Sequence, residues 1–363
     1  LKAAICREFA KPLSVEDVEL GPPLENEVRV RLAACAICHS DITYMDGGWG
    51  GQLPLVLGHE AAGVVEETGA AVQSVSVGDR VLVTLIRSCG HCASCESAEP
   101  FLCAEDFASD QRVRLSDAQG QVLGQGLKCG AFAEEVVVDQ SQVVAIPDTI
   151  PLDAASLLSC GVITGFGAVA NTAKLSFGSS AVVIGCGGVG LNAVQGAALL
   201  GAQPVIAVDL VADKLSAAAQ FGADIQINAK EDNAAQKVRE ATGGGADYVF
   251  VAAGSSHAVA SALEMLGPSG TLVLVGMPPT GDKVAVEAGD VAGAGQKILG
   301  SKMGSTRLRV DIPKLVMLYE QGRLKLDELI SGRYPLEDIN TAIDEVRADK
   351  ALRNVIILDE TLI

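Results

Sequence analysis

Four cysteines crowd one short stretch of this 363-residue chain: Cys89, Cys92, Cys95 and Cys103 follow the pattern C-x2-C-x2-C-x7-C. Four thiolates at that spacing can close a tetrahedral shell around one zinc ion, with Zn–S distances of about 2.3 Å. With all four positions filled, such a metal leaves no room for a substrate, and its role is structural. Thiolates at two-residue spacing also hold iron–sulfur clusters, and four free buried thiols are the plainest alternative; zinc is favoured. A second set is dispersed through Cys38-His39-Ser40-Asp41, Gly58-His59-Glu60 and Leu158-Ser159-Cys160-Gly161. Spacing alone does not join these. Taken singly, Cys38 reads as a buried thiol and His59 as a core histidine.

A third group carries a different chemistry. Ala181-Val182-Val183-Ile184 is a β-branched run followed by Gly185-Cys186-Gly187-Gly188-Val189-Gly190 and an apolar, alanine-rich segment to Leu200. That order is strand, glycine turn, helix. Gly185 permits the tight turn, Gly187 lets a pyrophosphate approach the backbone, and Gly190 lets the helix lie close on the strand. The opening amides of the helix, Gly188 and Val189 among them, then face the phosphates. A second apolar run, Val205-Ile206-Ala207-Val208, ends on Asp209, where an acid would accept from a ribose 2′-hydroxyl and repel a 2′-phosphate, favouring NAD over NADP. Lys214 flanks the adenosine or is a solvated helix residue.

The elements that must position these groups fall into two kinds. From Lys2 to about Ile146 the chain reads as short strands broken by turns, with Val28, Val30 and Leu32 alternating with Arg29 and Arg31, a half-buried β pattern that suggests a barrel. Beyond Pro151 helical segments begin. Tyr248-Val249-Phe250-Val251 as a strand, Ala258 to Leu266 as a helix, Gly267-Pro268-Ser269-Gly270 as a turn and Thr271 to Val275 as a strand repeat the nucleotide-binding plan, as in a doubly wound sheet. Ile339, Ala342, Ile343 and Val346 share one helical face, and Arg353 to Leu358 reads as a closing strand that completes the N-terminal domain.

Composition narrows the class. A net charge of −18 opposes nucleic-acid binding, which rests on lysine and arginine against phosphates. Leu1 to Leu13 lacks the apolar core of a signal peptide, and no run approaches the ~20 apolar residues of a membrane span. The expectation is a cytoplasmic protein with no membrane partner, whose ten cysteines serve metals or catalysis rather than disulfides. Cys6, Cys35, Cys129 and Cys186 receive no role.

Taken together, Cys38-His39-Ser40-Asp41, Gly58-His59-Glu60-Ala61-Ala62-Gly63, the four-cysteine lobe, Cys160-Gly161 with Thr164-Gly165-Phe166-Gly167, and the glycine fingerprint span nearly the whole chain. In that order they resemble the zinc-dependent medium-chain alcohol dehydrogenases. The resemblance implies an α/β fold: a GroES-like β-barrel catalytic domain (residues 1–161 and 301–363) and a doubly wound Rossmann coenzyme domain (162–300). It implies two zinc ions per chain, a catalytic one on Cys38, His59 and Cys160, approachable by Glu60, and a structural one on Cys89, Cys92, Cys95 and Cys103. Ser40 would relay a proton and Asp41 would orient the ligand histidine. The cofactor would be NAD, contacted by His39, Thr164, Gly185, Gly187, Gly188, Val189, Gly190, Asp209, Lys214, Val275 and Arg353. The substrate, an alcohol or carbonyl compound, would meet Trp49, Leu85 and Val275.

Departures from the family pattern bear on substrate and proton exit. Many relatives continue the proton path through a histidine where Thr43 stands, so release would run through water or His39. His39 also replaces an arginine set against the pyrophosphate, so cofactor affinity should fall as pH rises. The glutathione-dependent formaldehyde dehydrogenase branch has an acid at Trp49 and an arginine near Phe107, and neither is present. The expectation is therefore an apolar or aromatic primary or secondary alcohol rather than a glutathione adduct. Much of the acidic, polar stretch from Glu105 to Gly130 resembles a long loop of dimeric members, which favours a homodimer over a tetramer. The competing readings are an S-(hydroxymethyl)glutathione dehydrogenase, a metal-free quinone or enone reductase, and a non-enzymatic zinc redox sensor.

Overall fold

The structure, a computed structural model, describes residues 1–230 and 233–363. It divides into two compact units, Leu1–Cys160 with Arg307–Ile363, and Gly161–Thr306. Gly161 and residues 301–306, assigned to the catalytic domain from sequence, belong instead to the second unit. The reason is local: Thr306 Oγ1 donates to the Ile163 carbonyl, and Thr172 bonds both Ser301 and Ser305.

In the first unit, strands Lys2–Cys6, Ser14–Leu20, Leu115–Asp117, Val122–Gln125 and Leu55–Val56 close a small barrel. Beside it runs a sheet in the order Val143–Ala145, Arg80–Thr84, Glu60–Thr68, Glu27–Ala36, Arg353–Ile357, Ile330–Pro335, with Glu135–Asp139 also paired to Glu27–Ala36. The alternation of Val28, Val30 and Leu32 works as expected: all three are fully buried in a core with Ile5, Val56 and Phe132. The tail joins this unit because Arg353–Ile357 pairs antiparallel with Glu27–Ala36, setting Val355 opposite Ala36. The 105–130 stretch is not a loop throughout. Leu115 and Leu123 are buried, and their strands pair with each other and complete the barrel.

The second unit is a six-stranded parallel sheet in the order Ile225–Asn228, Val205–Asp209, Ala181–Ile184, Ala246–Val251, Leu266–Leu274, Lys297–Gly300. Its central strands Ala181–Ile184 and Val205–Asp209 are buried on both faces, as a sheet covered by helices requires. Gly267-Pro268-Ser269-Gly270 does not form a turn before a strand. The strand runs through it, and the register slips between the pairs Ala246–Leu266 and Tyr248–Thr271. Ser269 takes φ +59° within this irregularity, which also accommodates Pro268 and its missing donor. No single helix among the described residues is long and apolar enough to cross a membrane.

Candidate metal centres and nucleotide site

The dispersed ligands sit at the ends of three elements. Cys38 caps helix His39–Met45 just after strand Glu27–Ala36, His59 immediately precedes strand Glu60–Thr68, and Cys160 follows the turn Leu157–Ser159. Ser159 Oγ donates to the Ala61 carbonyl at 2.9 Å, tying the third segment to the second. As a result, ligand atoms of Cys38, His59, Glu60 and Cys160 all lie within 4.8 Å of one another, and all four residues are buried.

Asp41 organises the group. Its Oδ1 lies 3.0 Å from His59 Nδ1 and accepts the Gly58 amide at 3.0 Å, while its Oδ2 accepts the Cys38 amide at 3.2 Å. A carboxylate facing Nδ1 places the proton there and leaves the Nε2 lone pair for a metal. His59 Nε2 is buried with no hydrogen-bond partner among the described residues. A buried ring nitrogen aimed among two thiols and lacking a partner fits a metal ligand and is costly otherwise. The thiols suit the same purpose. Cys38 is held well below the ordinary thiol range, first by the Cys160 sulfur beside it, against the opposing effect of burial, and then by His59. Cys160 is raised by that same neighbour and by burial, so the two sulfurs share one hydrogen-bonded environment.

Glu60 is fully buried, and Arg353 Nη1 stands 3.2 Å from its Oε1. Burial raises this carboxyl to about 8, with Arg353 opposing. Arg353 also donates to the Ile37 carbonyl at 3.0 Å. The residue assigned to the cofactor from sequence thus sits in the wall of the metal pocket, against the residue that precedes Cys38.

The four-cysteine lobe matches a closed zinc site. The sulfurs of Cys89 and Cys95 are 3.9 Å apart, as are those of Cys92 and Cys103; a tetrahedron with Zn–S bonds of about 2.3 Å has edges of roughly 3.8 Å. The Cys89 amide donates to Cys103 Sγ and the Cys92 amide to Cys89 Sγ, at 3.4 and 3.3 Å. Desolvation acts to raise the Cys103 thiol, but the amides of Glu105 and Cys89 outweigh it and bring it down to about 7.

In the second unit, Gly185 has φ +90°, and a Cβ on Gly190 would stand 1.7 Å from the Gly185 carbonyl oxygen. A Cβ on Gly187 would meet nothing within 4 Å. Gly187 is the N-cap of helix Gly188–Leu199 and supplies no capping side chain. No side chain therefore caps the first amides of that helix, which suits a phosphate. Asp209 ends its strand half-buried, with Oδ2 accepting the Cys186 amide at 2.6 Å and Oδ1 the Val211 amide at 2.9 Å. Its carboxylate is fixed in place before any ligand arrives.

Two family models match the chain: the alcohol dehydrogenase GroES-like domain over residues 24–148 and the zinc-binding dehydrogenase over residues 188–321. Among curated relatives, the S-(hydroxymethyl)glutathione dehydrogenase of Saccharomyces cerevisiae is 36% identical, covering 99% of this chain and 96% of the relative. This chain belongs to the zinc-dependent medium-chain alcohol dehydrogenases. Two solved structures agree with that membership. An alcohol dehydrogenase zinc-binding domain protein from Burkholderia ambifaria superposes with a TM-score of 0.95 at 35% identity, covering 99% of both chains. Benzyl alcohol dehydrogenase from Acinetobacter calcoaceticus gives 0.92 at 31% identity, again over 99% of both.

In this dehydrogenase Ser40 is half-buried and His39 exposed, both on the first turn of helix His39–Met45. Thr43 Oγ1 donates back to the His39 carbonyl at 2.9 Å, so that hydroxyl is committed to its own helix. Trp49 and Leu85 are half-buried in the first unit, Val275 is buried in the second, and Lys214 is half-buried on helix Ala212–Gln220. The four remaining cysteines, Cys6, Cys35, Cys129 and Cys186, are buried, and none belongs to either metal-ligand group.

One group escaped the sequence reading. An arginine does stand at Phe107, supplied from another segment: the Arg87 guanidinium lies 4.0 Å from the centroid of the Phe107 ring. It is bonded to both carboxylate oxygens of Asp110, at 2.8 and 2.5 Å. Buried and paired in this way, Arg87 is not available to a substrate carboxylate. No local pattern relates positions 87, 107 and 110, so the sequence held no signal for the contact.

Proposed function

We propose that this chain is a cytoplasmic, homodimeric NAD-dependent alcohol dehydrogenase with two zinc ions per chain, acting on apolar or aromatic primary or secondary alcohols and the matching carbonyl compounds. The observation that carries the reading is the buried set Cys38, His59, Glu60 and Cys160, in which His59 Nε2 has no hydrogen-bond partner among the described residues. Zinc bound there supplies a Lewis acid that polarises an alcohol or carbonyl oxygen, and NAD supplies the hydride acceptor.

The chain's own residues do the rest. Cys38, Cys160 and His59 hold the metal, and Asp41 fixes the ring that presents Nε2. Ser40 takes the alcohol proton. With Thr43 bonded to its own helix, the proton leaves through water or His39. Asp209 receives the ribose hydroxyls, and the amides behind Gly187 receive the pyrophosphate. Trp49 and Leu85 exclude water from the substrate, and Arg353, 3.2 Å from Glu60 Oε1, opposes the effect of burial on that carboxyl.

Two observations favour an apolar substrate over the glutathione adduct named for the yeast relative. Trp49 offers no charge, and Arg87 is neutralised by Asp110. The likeness to a benzyl alcohol dehydrogenase points the same way. Metal analysis with an NADH-absorbance panel tests the reading. Two zincs per chain and a kcat/KM for benzyl-type alcohols at least roughly tenfold above that for S-(hydroxymethyl)glutathione are the expected results. One zinc would favour a sensor, none a metal-free reductase, and a reversed preference the glutathione branch.

The dimer is supported by the outermost strand, Lys297–Gly300, which ends the six-stranded sheet and leaves an edge unpaired among the described residues, with Ile298 40% exposed on it. Such an edge invites pairing with another chain. Ile298→Lys is expected to convert the dimer to monomer in sedimentation velocity; an unchanged dimer would place the interface elsewhere.

A further inference from the structure

Three successive residues, Met303, Gly304 and Ser305, have φ of +50°, +64° and +49°. Left-handed backbone is costly for residues with a side chain and persists where the surroundings over-determine it. Here the surroundings are unusually specific. Thr172, on the π-helical turn Ala168–Ala173, has its hydroxyl 2.8 Å from Ser301 Oγ and 2.8 Å from Ser305 Oγ. Ser301 precedes the left-handed run and Ser305 ends it, so one hydroxyl clasps both ends. The backbone is locked as well: a Cβ on Gly167 would stand 2.4 Å from the Gly304 oxygen, and the Asn171 side-chain amide donates to that oxygen at 3.3 Å. A π-helical turn inside a helical segment often accompanies function.

The location gives the clasp a purpose. Ser301 follows strand Lys297–Gly300, and its amide donates to the carbonyl of Leu274, the residue before Val275. These are carboxyl ends of parallel strands, where open α/β sheets bind ligands. Thr164 Oγ1 in turn lies 3.7 Å from Met303 Sδ. The run therefore adjoins Thr164 and follows the strand end next to Val275; the resemblance assigns both to the cofactor and Val275 to the substrate as well, which marks the reacting end of the dinucleotide.

We propose that Thr172 is a positioning residue for the nicotinamide end of the cofactor: through Ser301 and Ser305 it holds residues 303–305 in the left-handed conformation that forms this part of the binding surface. The proposal rests on the NAD reading given above. It assigns no contact between Thr172 itself and the cofactor.

Isothermal titration of the zinc-loaded full chain with NADH and with ADP-ribose, which lacks the nicotinamide, separates the possibilities. Thr172→Val keeps the shape and removes the hydroxyl; its NADH Kd is expected to rise about tenfold while that of ADP-ribose stays within about twofold. Thr172→Ser, which restores the hydroxyl, should return NADH affinity to that of the wild type. Equal weakening of both ligands would mean general loosening and overturn the proposal, as would no change in either. Should Thr172→Val fail to fold, Ser301→Ala removes one of the two bonds and carries the same expectation. If the wild type binds neither ligand, the dinucleotide reading fails and this proposal with it; if the wild type binds both and the variants behave like it, only the role of Thr172 is lost.

Discussion

Cys38→Ser should abolish alcohol oxidation while leaving NADH binding intact. A Lewis acid contributes several kcal/mol to stabilising charge in the transition state, and a loss of about 4 kcal/mol is roughly a thousandfold in rate. The sulfur removed is one whose thiolate the pocket favours, since the Cys160 thiol hydrogen-bonds to it and His59 adjoins it. Serine would hold its proton and leave two strong ligands, Cys160 and His59. The expected readings are a drop in kcat/KM of about a thousandfold or more and a fall from two zincs to one, the remaining ion belonging to the lobe of Cys89, Cys92, Cys95 and Cys103. NADH binding is expected to persist because the glycine fingerprint and Asp209 lie in the unit Gly161–Thr306, which does not include Cys38. Retained turnover with one zinc per chain would remove Cys38 from the metal site.

Asp209→Gly is expected to move the ratio of NAD to NADP kcat/KM toward NADP by about a hundredfold, roughly 2.8 kcal/mol at 1.4 kcal/mol per tenfold. Two effects contribute. Loss of the carboxylate removes charge-assisted hydrogen bonds to the ribose, each worth about 1.5–3 kcal/mol, and it removes repulsion of a 2′-phosphate. The substitution also deprives the Cys186 and Val211 amides of their acceptor, so a general cost to both cofactors is expected on top. The ratio separates the two. Damage to the loop lowers both kcat/KM values together, whereas removal of the discriminating charge lowers NAD use and raises NADP use. An unchanged ratio would take Asp209 out of the specificity argument.

How much of this was legible in the chain depended on the distance over which each feature is written. The nucleotide strands Ala181–Ile184 and Val205–Asp209 and the helix between them follow from residues adjacent in sequence, because β-branched runs, glycines and an alanine-rich segment each act locally. The same holds for Ile339, Ala342, Ile343 and Val346, whose spacing alone puts them on one buried face. Reading failed where tertiary pairing overrode local chemistry. Gly267-Pro268-Ser269-Gly270 has the composition of a turn but is drawn into a strand by its partner Ala246–Val251. Residues 105–130 have a loop's composition, yet Leu115 and Leu123 are apolar enough to close the barrel. Phe107 read as the loss of a cation, whereas Arg87 reaches it from a separate segment.

The four-cysteine lobe and the dinucleotide fingerprint are properties of the sequence by itself, since every ligand or amide involved lies within a few turns of chain and its spacing sets the geometry. The buried set Cys38, His59, Glu60 and Cys160 is not. Positions 38, 59 and 160 belong to elements that meet only when Glu60–Thr68 pairs with Glu27–Ala36 and Ser159 bonds Ala61. Asp41 selects the histidine nitrogen that faces the metal, and Arg353 reaches Glu60 because the C-terminal strand adds to the same sheet. Convergence of that kind depends on burial and strand register across the whole domain, which no local spacing encodes.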